Sequence, residues 1–302
     1  MTAVVALGGN ALMRPGERGT AAEQRANLRE ACAALRPLLH ERELVLTHGN
    51  GPQVGNELLR HERAAEEAPA LPLYLAVAQT QAEIGALIES ELEPVAGRPV
   101  VCLLTHVLVA EDDPAFEEPT KPVGPFYAED RARELERDRG WKVVEDAGRG
   151  WRRVVPSPVP LEVVELAAIR ALLGSGAIVV ACGGGGIPAA RRVAHLTGVD
   201  AVIDKDRASA LLAREVSADR LVILTEVRAV YRAFGTEHQQ ELRELSADEA
   251  EALLPELEAG SMRPKLEASV EFVRATGREA LITSPALLGE ALAGRSGTRI
   301  RA

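Results

Sequence analysis

The sequence predicts an α/β protein whose mainly parallel sheet carries helices on both faces. Strand-like apolar runs alternate with helical stretches along the 302 residues, the pattern of crossover-linked parallel strands. Three glycine clusters, at 8–9, 49–51 and 183–186, each follow one of those runs. Ligands of parallel sheets bind at the carboxyl ends of strands, so the clusters mark a common candidate edge.

In chain order, Val4-Val5-Ala6-Leu7 reads as a buried strand ending in the bare loop Gly8-Gly9-Asn10. Residues 23–40 have helical periodicity, and 43–47 read as a strand. His48-Gly49-Asn50-Gly51-Pro52 follows, and Pro52 suits the first turn of a helix over 53–67. A helix is predicted over 73–92, an apolar strand region over 99–109 and a helix over 161–173. A buried strand over 177–181 then runs into the four glycines. A helix over 206–216, a strand over 220–225, and helices over 246–254 and 264–276 come next. A strand over 280–283 and a helix over 285–293 close the pattern.

Residues 111–158 break the alternation. They are proline-rich and charged, hold both tryptophans, and are long for a connection inside a domain. They read as a small lid-like excursion within one domain spanning 1–302, with a helix at 128–139 and a hairpin near 141–155. Trp141, Trp151, Val143-Val144 and Val154-Val155 favour a folded subdomain over a floppy linker.

Hydrophobic residues make up 46% of the chain, enough for a large core. No apolar run reaches ~18 residues, so no membrane span is expected. The N-terminus lacks a basic leader region, so no secretory signal is expected either. Three scattered cysteines without a C-x-x-C suit a reducing cytoplasm. The six histidines lack metal-ligand spacing. A net charge of −10 argues against nucleic acid or an anionic membrane as the main partner. It leaves room for a small anion in a locally basic pocket.

Bare loops running into helices suit anions, because unpaired N–H groups point into the gap. Phosphate chemistry also recruits a cation, and the first strand has none. Only four of the 35 basic side chains are lysine: Lys121, Lys142, Lys205 and Lys265. Asp204-Lys205-Asp206 sets an ammonium between two carboxylates before a helix that Asp206 could cap. Val199, Val202 and Ile203 bury that turn, and a buried lysine needs such partners. Lys265 stands in the first turn of a helix after Gly260-Ser261, and Lys121 between prolines in TKPVGPFY. Taken alone, Lys205 and Lys265 are also readable as surface lysines at helix starts, and Lys121 as part of a structural turn. Lys142 reads as a surface residue outright.

The stretches VVALGGNAL, HGNGPQVGN, PTKPVGPFY, EDAGRGWRRVVPSP, CGGGGIP, GVDAVIDKDRAS, LVILT and GSMRPK together closely resemble the carbamate kinases of the amino acid kinase superfamily. They span the chain in order. The resemblance implies a three-layer αβα sandwich with a small protruding subdomain. It implies reversible phosphoryl transfer between ATP and carbamate, giving ADP and carbamoyl phosphate. Mg²⁺ is then bound through the nucleotide phosphates, and the protein is a homodimer. The physiological direction in such enzymes is often ATP synthesis at the end of arginine or agmatine breakdown.

On that resemblance, Lys205, Asp206, Lys121 and Lys265 are the catalytic candidates. Lys205 stands in for the missing strand lysine, and Lys265 meets the nucleotide phosphates. Lys121 comes from the lid to hold carbamate, and Asp206 orients the two core lysines. Gly8, Gly9, Asn10, Gly49, Asn50 and Gly51 would donate to the phosphoryl group and carbamate. Thr225, Val227, Tyr231, Ser261 and Met262, with Lys265, would line the nucleotide site. Three departures stand out: Ala82 in place of a glycine, Glu226 in place of a small residue, and Leu257-Glu258-Ala259 without the usual proline. The alternatives are a related enzyme acting on another small acid and a non-catalytic nucleotide-binding module.

Overall fold

The computed structural model describes residues 1–302 apart from Pro15, 146–149, Ala194 and 258–260, and the backbone only of Asn10. The chain begins with β1 (Thr2–Leu7), α1 (Ala21–Ala34), β2 (Glu43–His48), α2 (Gly51–Ala64), α3 (Leu73–Ala96), β3 (Val100–Cys102) and β4 (His106–Leu108). The excursion holds β5 (Lys121–Tyr127), α4 (Glu129–Arg139), β6 (Lys142–Glu145) and β7 (Trp151–Val155). Then come β8 (Glu162–Val163), α5 (Leu166–Gly174), β9 (Ile178–Val180), β10 (Ile187–Arg192), β11 (His195–Gly198), α6 (Lys205–Glu215) and β12 (Arg220–Leu224). The last part comprises β13 (Val230–Arg232), β14 (Gln240–Leu242), β15 (Glu244–Ser246), α7 (Ala247–Leu253), α8 (Met262–Thr276), β16 (Glu279–Thr283), α9 (Leu288–Leu292) and β17 (Thr298–Arg301).

Alternation along β1 divides the protein into three layers. Val4 and Ala6 face a core shared with α5, α6, α7 and α8, through residues such as Ile169, Leu211, Leu253 and Phe272. Ala3, Val5 and Leu7 face the opposite core, with Leu28 of α1, Ile84 and Ile88 of α3, and Leu288 of α9. Between them lies an eight-stranded sheet in the order β15-β17-β16-β12-β1-β2-β9-β3. Its neighbours are all parallel except β16 with β17. Buried on both faces, its strands read as continuous apolar runs.

The structure departs from the sequence reading in several places, three of them in or next to the excursion. The 99–109 region divides into β3, at the edge of the large sheet, and β4, in a second sheet ordered β11-β10-β4-β8. Thr105 divides it: its N–H donates to Gln81 Oε1 at 2.6 Å, outside any ladder. The 161–173 stretch opens as strand β8, whose Val163 pairs with Val107, before the helix starts at Leu166. The TKPVGPFY segment is strand β5, an edge strand of the β5-β7-β6 sheet, where prolines are tolerated.

The excursion packs a core of its own. Ala132, Leu135, Val143 and Val154 are buried, Arg133 lies over Trp151 at 4.3 Å, and Arg153 over Trp141 at 4.7 Å. A small cluster of Val54, Leu73, Ala76, Val77, Val123, Val155 and Val202 joins it to α2, α3 and the turn before α6. Burial pushes the thiols of Cys32 and Cys102 up to about 12 and about 11. Among the described residues, no helix is long and apolar enough to cross a membrane.

A tight backbone approach lies behind the site. Gly185 has φ +91°, and a Cβ there would lie 2.3 Å from the carbonyl oxygen of Ile203. Gly185→Ala therefore combines left-handed strain with overpacking and should lower the unfolding free energy by about 2–6 kcal/mol. A urea titration reads this as a lower midpoint at unchanged slope; an unchanged midpoint would show that the loop relaxes freely.

Candidate active site

Three strand ends converge. The backbone leaves β1 through Gly8 and turns at once in a 3₁₀ segment over Gly9–Ala11. A Cβ on Gly8 would lie 2.7 Å from the carbonyl oxygen of Leu224, so glycine lets this loop pass the end of β12. Gly9 is exposed, with open space around it. One strand over, β2 ends at His48 and leads through Gly49 and Asn50 into α2. The Asn50 side chain does not cap α2, and among the described residues no side chain accepts from the N–H groups of its first turn, an arrangement that suits an anion.

Lys205 is carried to this loop by α6. Thr47 Oγ1, at the end of β2, lies 2.6 Å from Ser209 Oγ, and both residues are fully buried. Ser209 Oγ also donates to the Lys205 carbonyl at 2.6 Å. That clamp sets Lys205 beside Gly49, where a Cβ would lie 3.8 Å from Lys205 Cδ. Lys205 Nζ donates to Asp206 Oδ1 at 2.7 Å, and Lys265 Nζ reaches Oδ2 of the same carboxylate at 3.3 Å. Lys265 also donates to the Ser261 carbonyl at 3.2 Å. Asp206 is 4% exposed, against 12% for Lys205 and 17% for Lys265. Burial pushes the Lys205 ammonium down and the Lys265 charge adds to this, while Asp206 opposes it.

Asp204 rather than Asp206 caps α6. Its Oδ1 accepts from the N–H of Asp206 at 2.9 Å and of Arg207 at 3.4 Å. Its Oδ2 accepts from Lys121 Nζ at 2.5 Å, so the excursion's lysine meets the segment that carries Lys205. Burial alone would raise the Asp204 carboxyl; the charge and hydrogen bond of Lys121 hold it well below the usual carboxylate range. The role of Asp204 was concealed in the sequence because Lys121 lies 83 residues away. Lys142 is on the surface and donates to the Glu117 carbonyl.

The first two of the four glycines press against the HGNG loop. A Cβ at Gly183 would strike His48 Nε2, and one at Gly184 would strike Asn50 Nδ2, each at 2.3 Å. The Asn50 amide donates to Thr80 Oγ1 at 2.9 Å, which fixes its side chain against α3. Gln81 Nε2 donates to the Gly183 carbonyl at 2.9 Å and so ties α3 to the same corner. Thr80 carries no motif-like signal and Gln81 only the stretch that includes Ala82; the folded packing shows what they hold. Ala82, next to them, lies on the exposed face of α3, where no glycine is required.

The nucleotide candidates form a looser group. Thr225 N–H donates to the Thr283 carbonyl at 2.9 Å, at the ends of β12 and β16. Val227 follows, and Tyr231 lies on β13 with its ring 5.6 Å from Phe234. Ser261 is exposed and Met262 starts α8. Among the described residues, no hydrogen bond or ion pair joins Tyr231 or Met262 to the lysine cluster. Glu226 is exposed. Gly260 and the Glu258-Ala259 departure lie outside the described residues.

The sequence model of the amino acid kinase family matches residues 1–284. The fold, with its bare loops and converging lysines, thus defines a member of that family. The chain is 47% identical to the carbamate kinase of Halobacterium salinarum over 98% of this chain and 97% of the relative. It is 44% identical to that of Pyrococcus horikoshii over 98% of both. The structure of carbamate kinase from Giardia lamblia bound to AMP-PNP is similar at a TM-score of 0.90 and 42% identity, covering 99% of this chain and 98% of that one. Within the amino acid kinase family, the chain belongs to the carbamate kinases.

His48 makes a testable electrostatic signature. It is fully buried, its Nδ1–H donates to the Gly49 carbonyl at 3.0 Å, and Nε2 has no partner among the described residues. Burial pushes the imidazole down to about 4; the Gly49 bond opposes this and the Lys205 charge adds to it. The unfolded chain therefore takes up the proton first. Stability is full above about pH 6.5 and falls as pH drops toward 4, by up to about 3 kcal/mol. His48→Gln should flatten that limb in urea melts between pH 7 and 4, and an equally steep limb would reject the assignment.

Proposed function

We infer that this chain catalyses reversible phosphoryl transfer between ATP and carbamate, giving ADP and carbamoyl phosphate. The observation that carries the reading is the buried Asp206 carboxylate shared by Lys205 and Lys265 beside the bare Gly49–Gly51 turn. In the forward direction a carbamate oxygen attacks the γ-phosphorus, an O–P bond forms, and the bond to the β-phosphate oxygen breaks. The attacking oxygen already carries charge, so no base is needed, and Asp206 serves to hold the lysines. An anion is attacking an anion. Two unit charges ~4 Å apart repel by about 4 kcal/mol at an effective dielectric of 20, so alignment and neutralisation are the catalytic task.

Lys205 is the cation for the transferred phosphoryl group, beside the loops of Gly8, Gly9, Asn10, Gly49 and Gly51. Lys265 serves the nucleotide phosphates, and the nucleotide lies toward Thr225, Val227, Tyr231, Ser261 and Met262. Lys121 takes carbamate, which as an anion competes with Asp204 for the ammonium. The excursion acts as the lid that brings Lys121 in. Magnesium, carried on the nucleotide phosphates, would neutralise part of their charge, while Asp206 is engaged by the two lysines. The same reading, by resemblance, assigns a homodimer, a cytoplasmic location and a place in arginine or agmatine breakdown.

The test is ATP formation from carbamoyl phosphate and Mg-ADP, with acetyl phosphate as control donor. Lys205→Ala should lower kcat by at least about 10²–10³-fold at unchanged melting temperature, and Lys205→Arg should not restore it, because a guanidinium fork does not fit a point-charge site. Equal use of acetyl phosphate would support another small-acid kinase, and full activity in Lys205→Ala would remove Lys205 from the mechanism.

A further inference from the structure

Gly55 belongs to the HGNGPQVGN stretch, yet neither binding nor chemistry accounts for it. It lies in the middle of α2, four residues past Gly51, and is buried. Glycine inside a helix costs about 1 kcal/mol relative to alanine, and its backbone here is not left-handed. The reason is on the facing strand. A Cβ on Gly55 would lie 2.3 Å from Gly124 Cα, 2.6 Å from Gly124 N and 3.2 Å from Gly124 C. Helix backbone and strand backbone are thus in direct contact, and no flexible side chain stands between them to yield.

The strand in question is β5, which carries Lys121 three residues earlier. Gly124 has φ +79° at an irregularity in the β5–β7 pairing between Val123 and Tyr127, and a Cβ on it would meet nothing within 4 Å. Gly124 is therefore required by its backbone angle, and Gly55 by the closeness of its neighbour. On either side of the contact, Val54 and Val123 are buried in the apolar cluster that joins the excursion to the body.

We propose that Gly55 is a positioning residue: its missing side chain sets how far β5 descends onto α2, and so how far Lys121 reaches into the site. The inference rests on the reading that Lys121 touches substrate. The helix that opens at the Gly49–Gly51 turn then gauges the strand that delivers the lid lysine. Any side chain at 55 obliges β5 to withdraw by about 1 Å, since ordinary carbon contacts begin near 3.4 Å. A misplacement of that size costs about 10²-fold in rate.

The test is a double-mutant cycle in the ATP-forming assay. Gly55→Ala should lower kcat/KM for carbamoyl phosphate about 10- to 100-fold, leave KM for Mg-ADP unchanged, and still melt cooperatively. In a Lys121→Ala background, the same substitution should cost less than about 3-fold, because the reach it disturbs is already gone. Val123→Leu, which lifts the same strand from within the apolar cluster, should give the same Lys121-dependent loss and serves if Gly55→Ala does not fold. An equal loss with and without Lys121, or a normal kcat/KM in folded Gly55→Ala, would overturn the inference. Full activity in Lys121→Ala itself would instead overturn the reading on which it rests.

Discussion

One buried carboxylate held by two ammonium groups is the interaction on which the rest of the site depends. Lys205 and Lys265 repel each other, and without Asp206 they could not share a corner that is nearly closed to water. A second pair, Lys121 with Asp204, is neutral by itself. Three lysines against two aspartates leave one positive charge, inside a chain whose net charge is −10. That residual charge is local, so the acidic surface and the proposed anion pocket do not conflict. Helices α6 and α8 exist in this arrangement to present their first turns side by side, and the Thr47–Ser209 clamp keeps α6 in step with the sheet.

Much of this was legible in the sequence, for physical reasons. Strands buried on both faces leave continuous apolar runs, so β1, β2, β9, β12 and β16 could be read to within two residues of their ends. The scarcity of lysine singled out Lys121, Lys205 and Lys265, and the structure gathers them around Asp204 and Asp206. Features made by distant partners were not legible. Thr105 splits an apolar run because Gln81 takes its N–H, and nothing local announces it. Asp204 looked like half of a symmetric pair with Asp206; only Lys121, folded back from the excursion, makes the two differ. The β10–β11 hairpin and β17 had no turn chemistry strong enough to set them apart from loop.

Glycine serves two different ends in this fold, and sequence cannot separate them. Gly9 and Gly51 leave open backbone, as a ligand loop should. The run from Gly183 to Gly186 does the reverse: it fills space, with His48, Asn50, Ile203 and Val107 each where a side chain would be. Cys182, just before it, is left-handed at φ 49° despite its side chain. A conformation of that kind costs about 1–3 kcal/mol, held in place by the surrounding packing. Gly183 and Gly184 of this run pack directly against the HGNG turn.

The strand order has a consequence of its own. β1 lies between β2 and β12, so the loop that ends it sits between the proposed acceptor turn on one side and Thr225 on the other. Neighbouring strands are about 4.8 Å apart, so the proposed donor and acceptor halves occupy adjacent lanes divided by a single strand end. On that proposal each lane is built from a different stretch of chain: the acceptor lane from β2, α2 and the excursion, the nucleotide lane from β12, β16 and α8. A protein divided in this way can exchange the molecule it phosphorylates by altering the first set alone, while its energy source stays constant. The same scaffold is thereby open to diversification on one flank only.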